Sequence, residues 1–137
     1  MKYALLLLFI PFANTPVRYR QLTWEDFRGR PNSNWAAVTH YEFEVTIINN
    51  GETITRQYAH ALFNPSKSWA RIKSERVLRH EQLHFCIAEC FARQLRVGMD
   101  SDSLWIECYK VQDRYDLETN HSMDTVAQRE WEHKIKL

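Results

Sequence analysis

From Val38 the chain alternates, with Thr39, Tyr41, Phe43, Val45 and Ile47 on one side and His40, Glu42, Glu44 and Thr46 on the other. A period of two with rings and branched residues on one face predicts a half-buried strand. Asn50-Gly51 follows, a pair that favours a tight hairpin turn. "TITRQYAHALF" then reads as the returning strand, stopped at Asn64-Pro65 because proline cannot extend a ladder. From Ser74 the period lengthens to that of a helix. Val77, Leu78, Leu83, Phe85, Ile87, Ala88 and Phe91 predict a largely buried first helix ending near Gly98. Ser101 or Asp102 is placed to cap a second helix, whose row of Leu104, Cys108, Val111, Tyr115 and Glu118 steps by four and three along one face. A third helix, from about Met123 to Ile135, would turn Val126, Ala127, Trp131 and Ile135 inward. The pattern predicts an α+β fold, a small antiparallel sheet or hairpin followed by about three helices.

Ahead of the strand, "TPVRYRQLTWEDFRGRPNSNWAA" is rich in turn residues, with Leu22, Trp24 and Phe27 as its apolar anchors. Before that, "MKYALLLLFIPFA" sets a cation at Lys2 in front of an apolar run from Ala4 to Phe12. Such a run is too short to span a bilayer and has the form of a secretory signal. Residues 1–15 are therefore read as an export segment and residues 16–137 as one domain. This places the protein in the periplasm, the cell envelope or the medium, with no other membrane span expected. A formal net charge of +1, with acidic and basic residues intermixed, gives no electrostatic reason to expect nucleic acid. Three cysteines (Cys86, Cys90 and Cys108) lack Cys-x-x-Cys spacing. They read first as small buried hydrophobes, with a Cys90–Cys108 bridge across an antiparallel helix pair as the alternative.

The chemistry lies in "VLRHEQLHFCIAECFARQL". His80 and His84, four apart on a helix, are separated by about 40° around its axis and can offer imidazoles to one ion. Glu81 is near enough to act on a metal-bound water without being a ligand, the arrangement of the His-Glu-x-x-His motif of zinc hydrolases. The apolar surroundings sharpen the reading, because two histidines facing a core need a partner for their polar nitrogens. A catalytic zinc site takes a third protein ligand and keeps one position open. His40, His60 and His133 have the look of polar-face residues, which leaves Glu118 and His121 in "DRYDLETNHSMD". Helical spacing leans to Glu118, an imidazole at a helix junction serves equally well, and the spacing does not separate them. Tyr115, on the inward row, is a candidate to stabilise an oxyanion or, as readily, a core tyrosine bonded to backbone. Gln128 and Trp131 fit packing and support, a glutamine bonded to a ligating imidazole being a sound arrangement.

Three stretches, "LTWEDFRGRP", "SWARIKSERVLRHEQLHFCIAECFARQLR" and "YDLETNHSMDTVAQREWE", make the chain resemble the bacterial domain of unknown function 922 family, which groups predicted secreted zinc-dependent proteases. The resemblance covers most of the chain after the export segment. It implies a zincin-like fold and a metal set of His80, His84 and His121, with Glu81 as general base. Ser122 departs from the family, where glycine is common after the third histidine. The function expected is that of a secreted or periplasmic zinc metallopeptidase acting on peptides or proteins. The alternatives are a non-catalytic envelope binding protein with a structural zinc, and a helical interaction domain without metal.

Overall fold

The computed structural model describes residues 14–137, and most of the expected export segment lies outside them. In chain order the elements are β1 (Val17–Arg18), a 3-10 turn at Trp24–Asp26, β2 (Ala37–Val38), β3 (Tyr41–Asn49), β4 (Ile54–Phe63), β5 (Trp69–Ala70), α1 (Glu75–Ala92), α2 (Ser101–Glu118) and α3 (Thr125–Lys134). The fold is α+β, as its periodicities indicate. The main sheet is antiparallel in the order β1-β4-β3, and β2 and β5 form a separate two-stranded ribbon.

The hairpin register sets Tyr41 opposite Phe63, Phe43 opposite Ala61 and Val45 opposite Ala59. Ala59 and Ala61 are buried, and their small side chains leave room for α1, which brings Phe85 and Ile87 to the same core. The hairpin outruns that helix, so Ile47, on the face expected to be covered, stays 52% exposed. Its turn is a four-residue loop rather than a tight two-residue one. Asn50 N–H donates to the Thr53 carbonyl (3.2 Å), Asn50 Oδ1 accepts from Glu52 and Thr53 N–H, and Gly51 takes φ +92°. A register shift at Ile48/Asn49 accommodates the extra length.

The single strand expected from Val38 is broken at Thr39–His40. Val38 pairs with Trp69 of β5, whereas Tyr41 already belongs to the main sheet. Ser68 Oγ accepts the His40 N–H (2.9 Å) and the His40 carbonyl accepts from Asn64 N–H (2.9 Å), which holds the break. The break lets Thr39 reach α1.

Ser74 caps α1 by accepting the Val77 N–H (3.2 Å). The helix stops at Ala92, short of Gly98, because Leu95 turns back to be fully buried, and Gly98 (φ +87°) serves the link to α2 instead. The cap of α2 is Asp100, one residue earlier than expected, accepting from Asp102 and Ser103 N–H. Its buried face is Leu104, Cys108, Gln112 and Tyr115, and Thr119 just beyond it is buried too, so Glu118 falls outside this row. Asp124 caps α3, where Gln128 and Trp131 are buried and Val126 is 60% exposed, against the expected inward set.

Leu22 and Phe27 are core residues, and Trp24 packs against the core from a half-buried position. Gly29 shows why this segment needs a glycine: a Cβ there would stand 2.8 Å from both the Ser66 and Ser68 carbonyl oxygens. Past the end of β1, buried Glu89 of α1 accepts the Ala61 N–H (2.8 Å), a ladder donor that two-residue β1 is too short to reach, and Arg93 Nε (3.0 Å) neutralises it. All three cysteines are free. Cys108 lies by the Tyr41 hydroxyl and Cys90 turns to the Lys136 carbonyl, so the helix pair does not bring these two together. No helix among the described residues is long and apolar enough to cross a membrane.

Candidate metal centre

His80, Glu81 and His84 occupy the middle of α1, with His80 and Glu81 buried. Facing them, α2 supplies Tyr115, Gln112 and Asp116, and α3 supplies Gln128. His80 Nε2 and His84 Nε2 lie 3.2 Å apart, and Asp116 Oδ1 sits 2.9 Å from the first and 2.8 Å from the second. These three residues form a group able to hold a metal ion, their ligand atoms all within 4.8 Å of one another.

The far side of each imidazole fixes what the near side can be. Gln112 Nε2 donates to the His84 carbonyl (2.8 Å), so its carbonyl oxygen is the atom facing His84 Nδ1, at 2.6 Å. Gln128 Nε2 donates to Glu132 Oε1 (3.2 Å), and its carbonyl oxygen faces both His80 Nδ1 (3.1 Å) and the Tyr115 hydroxyl (2.8 Å). An amide oxygen carries no proton, so each Nδ1 must be the protonated nitrogen. With Nδ1 turned to an amide oxygen on each ring, both Nε2 atoms converge with a carboxylate oxygen. Such a contact is favourable only with a positive charge shared among the three, supplied by a proton on Nε2 or by a metal ion held there by the Nε2 lone pairs.

The field of the site agrees. Burial alone would lower the pKa of His84, but the hydrogen bond to Asp116 and the charges of Glu81 and Asp116 outweigh it and push the value up to about 9. Burial pushes against the Asp116 carboxylate, yet its contacts with His80 and His84 hold it well below the usual range. The pocket attracts positive charge, whether as a proton or as a metal ion.

Glu81 is held from the strand side, its Oε2 accepting from Thr39 Oγ1 at 2.7 Å. Tyr115 is fully buried beneath the histidines, stacked on His80 with ring centroids 4.6 Å apart. Its single hydroxyl proton is shared between Gln128 Oε1 (2.8 Å) and the His80 carbonyl (3.1 Å), and burial drives its pKa far up. The phenol braces the imidazoles from below and is absent from the lining of the cleft described next. Of the sequence's two candidates for a third ligand, neither is in the converging group. Glu118 turns outward to accept from Trp131 Nε1 (2.8 Å). His121 stands beside the group, its Nδ1 3.5 Å from Asp116 Oδ1 and its ring stacked on Trp35 at 4.0 Å.

The segment carrying His121 is bent sharply. Asn120, His121 and Ser122 take φ of +47°, +48° and +79°, three consecutive left-handed residues without a glycine. His121 N–H to the Asp116 carbonyl (2.9 Å), Asp124 N–H to the Thr119 carbonyl (2.9 Å) and Arg76 Nη1 to the Ser122 carbonyl (2.8 Å) hold the turn in place. Position 122 thus adopts a backbone that glycine takes more readily.

The group opens into a cleft of about 350 Å³ between the Trp35–Thr39 segment, α1, α2 and the His121 turn. Neither a family model, nor a curated protein, nor a solved structure matches the chain. The site therefore stands on its own chemistry. Two of its residues, Asp116 and Gln112, were not singled out from the sequence. Their signal was a spacing of four running Leu104, Cys108, Gln112, Asp116, with a polar residue on a buried row.

Proposed function

We propose that the protein is a zinc-dependent hydrolase acting on peptide bonds outside the cytoplasm, with His80, His84 and Asp116 as the metal-holding residues. The observation that carries this reading is the pair of glutamine locks, which leave two Nε2 lone pairs and a carboxylate aimed at one point. Two imidazoles and one carboxylate oxygen suit zinc, and three protein donors leave a position open, as catalytic zinc sites require. Tetrahedral zinc with bonds of about 2.0–2.1 Å sets its donors about 3.3 Å apart. The observed separations of 2.8–3.2 Å reach that value by a few tenths of an ångström of opening.

Bound zinc would supply a water made acidic near neutral pH and a positive charge for a carbonyl oxygen. Glu81, next to the donors and lining the cleft, is placed to take the proton from the attacking water and pass it to the leaving amine. Thr39 fixes the carboxylate for that task. Gln112 and Gln128 keep both histidines in the ligating tautomer. The resemblance of the sequence to predicted secreted zinc proteases and the export-like N-terminus point the same way. Tyr115, buried as it is, serves here as a brace.

A test compares bound zinc and hydrolysis of a mixed peptide library for wild type, Glu81→Gln and His84→Ala. Glu81→Gln should keep zinc and lose hydrolysis, and His84→Ala should lose both. Full activity in Glu81→Gln would overturn the assignment of the base. A wild type that holds zinc and cleaves nothing would favour a structural zinc in a binding protein.

A further inference from the structure

Three carboxylates line the cleft, Glu81, Asp113 and Asp116, and the lining contains no lysine or arginine. Two of them are engaged: Glu81 with Thr39, Asp116 with both histidines. Asp113 is exposed. The neighbouring cations on α2 are committed elsewhere, Lys110 to Glu107 (2.8 Å) and Arg114 to Glu118 (3.9 Å), so Asp113 has no ion-pair partner among the described residues. If the site holds a dication, Glu81 and Asp116 offset its two charges, and Asp113 remains the unbalanced charge of the cleft.

Position along the helix gives this charge a use. Tyr109, Asp113 and Asp116 are spaced by four and three and all line the cleft, so they form one row. Asp113 lies about 4.5 Å along the axis from the candidate metal donor, and Tyr109 about 10 Å. Tyr109 is 52% exposed and braced against Tyr41, ring centroids 6.1 Å apart and 25° from parallel. An extended peptide advances about 3.3 Å per residue, so one lying along α2 would bring a side chain one or two residues from the bond at the metal to Asp113.

We propose that Asp113, with the Tyr109 ring beside it, is a specificity determinant that selects substrates carrying a lysine or arginine next to the scissile bond. The cationic head pairs with the Asp113 carboxylate while its methylene stem lies along the tyrosine ring, a combination that a long basic side chain satisfies and a neutral one does not. This rests on the hydrolase reading for the word scissile, but the recognition itself is a binding property.

The experiment uses quenched fluorescent peptides identical except for Lys, Arg, Met or Glu at each position flanking one cleavable bond. Cleavage is measured with zinc-loaded wild type and Asp113→Asn, and affinity with the same pair in a Glu81→Gln background. Wild type should favour Lys or Arg over Met by about tenfold in kcat/KM at one flanking position, with Glu poorest. Asp113→Asn should erase that preference, the Lys and Arg peptides being cut no faster than the Met peptide by the same variant, with zinc content unchanged. Cleavage without a preference for cations, or a preference that survives in Asp113→Asn, would overturn the proposal and leave the hydrolase reading standing. Absence of any cleavage alongside tighter, Asp113-dependent binding of the Lys peptide would overturn the hydrolase reading and uphold the cation pocket.

Discussion

Replacing Gln112 with leucine tests the claim that the second layer of the site sets its chemistry. The change removes the acceptor 2.6 Å from His84 Nδ1 and the donor 2.8 Å from the His84 carbonyl, while keeping a side chain of similar size. His84 then loses what fixes both its tautomer and its ring orientation. Loss of such a partner costs about 10–100-fold in metal affinity, or about 1.4–2.7 kcal/mol. Competition against a coloured chelator reads the affinity, and melting of the metal-free protein shows whether the fold survives. Gln112→Glu is the informative companion. It retains an acceptor for Nδ1–H but loses the donor to the His84 carbonyl, so its affinity should fall between those of Gln112→Leu and wild type. A folded Gln112→Leu protein with wild-type affinity would refute the argument that the glutamine locks the ligand.

The raised His84 pKa makes a pH prediction for metal-free protein. A folded value near 9 against about 6.5 unfolded contributes stability that is complete below pH 6.5 and lost as pH rises through 9. Melting should fall between those limits, by at most about 3 kcal/mol, and His84→Ala should flatten the slope; equal slopes in the two proteins would refute it. Ser122→Gly should stabilise the protein by about 1 kcal/mol in chemical denaturation, because φ of +79° suits glycine, and a loss of stability would show that the Ser122 hydroxyl by Arg76 matters more. Gly29→Ala should destabilise it by about 1–3 kcal/mol, since the new methyl meets two backbone carbonyls at 2.8 Å, and a wild-type midpoint would count against the close approach.

The elements were legible where one period runs long enough. The β3–β4 hairpin and all three helices follow from alternation and from runs of apolar residues, and Leu22 and Phe27 were legible as anchors because large apolar residues in a polar segment must bury somewhere. The break at Thr39–His40 was not, since it depends on Ser68 and Asn64 claiming the His40 backbone from 24 residues away or more. At the site, His80, Glu81 and His84 could be read from local spacing. Asp116 could not be chosen over Glu118 or His121 because its place depends on how α2 rotates against α1. That rotation is set by Tyr115 packing under His80 and by Gln112 reaching the His84 backbone, both contacts between segments about thirty residues apart. Val126 shows the same limit, expected inward yet 60% exposed, whereas Gln128, read from the sequence as support for an imidazole, does face His80 Nδ1.

The central claim is that Asp116 joins His80 and His84 in holding a metal ion. The most direct measurement is zinc bound per chain after equilibration with zinc and dialysis, for wild type and for Asp116→Ala. The account predicts one zinc in wild type and little or none in Asp116→Ala, with His121→Ala and Glu118→Ala still loaded. One zinc retained in Asp116→Ala, and lost instead from His121→Ala, would contradict it.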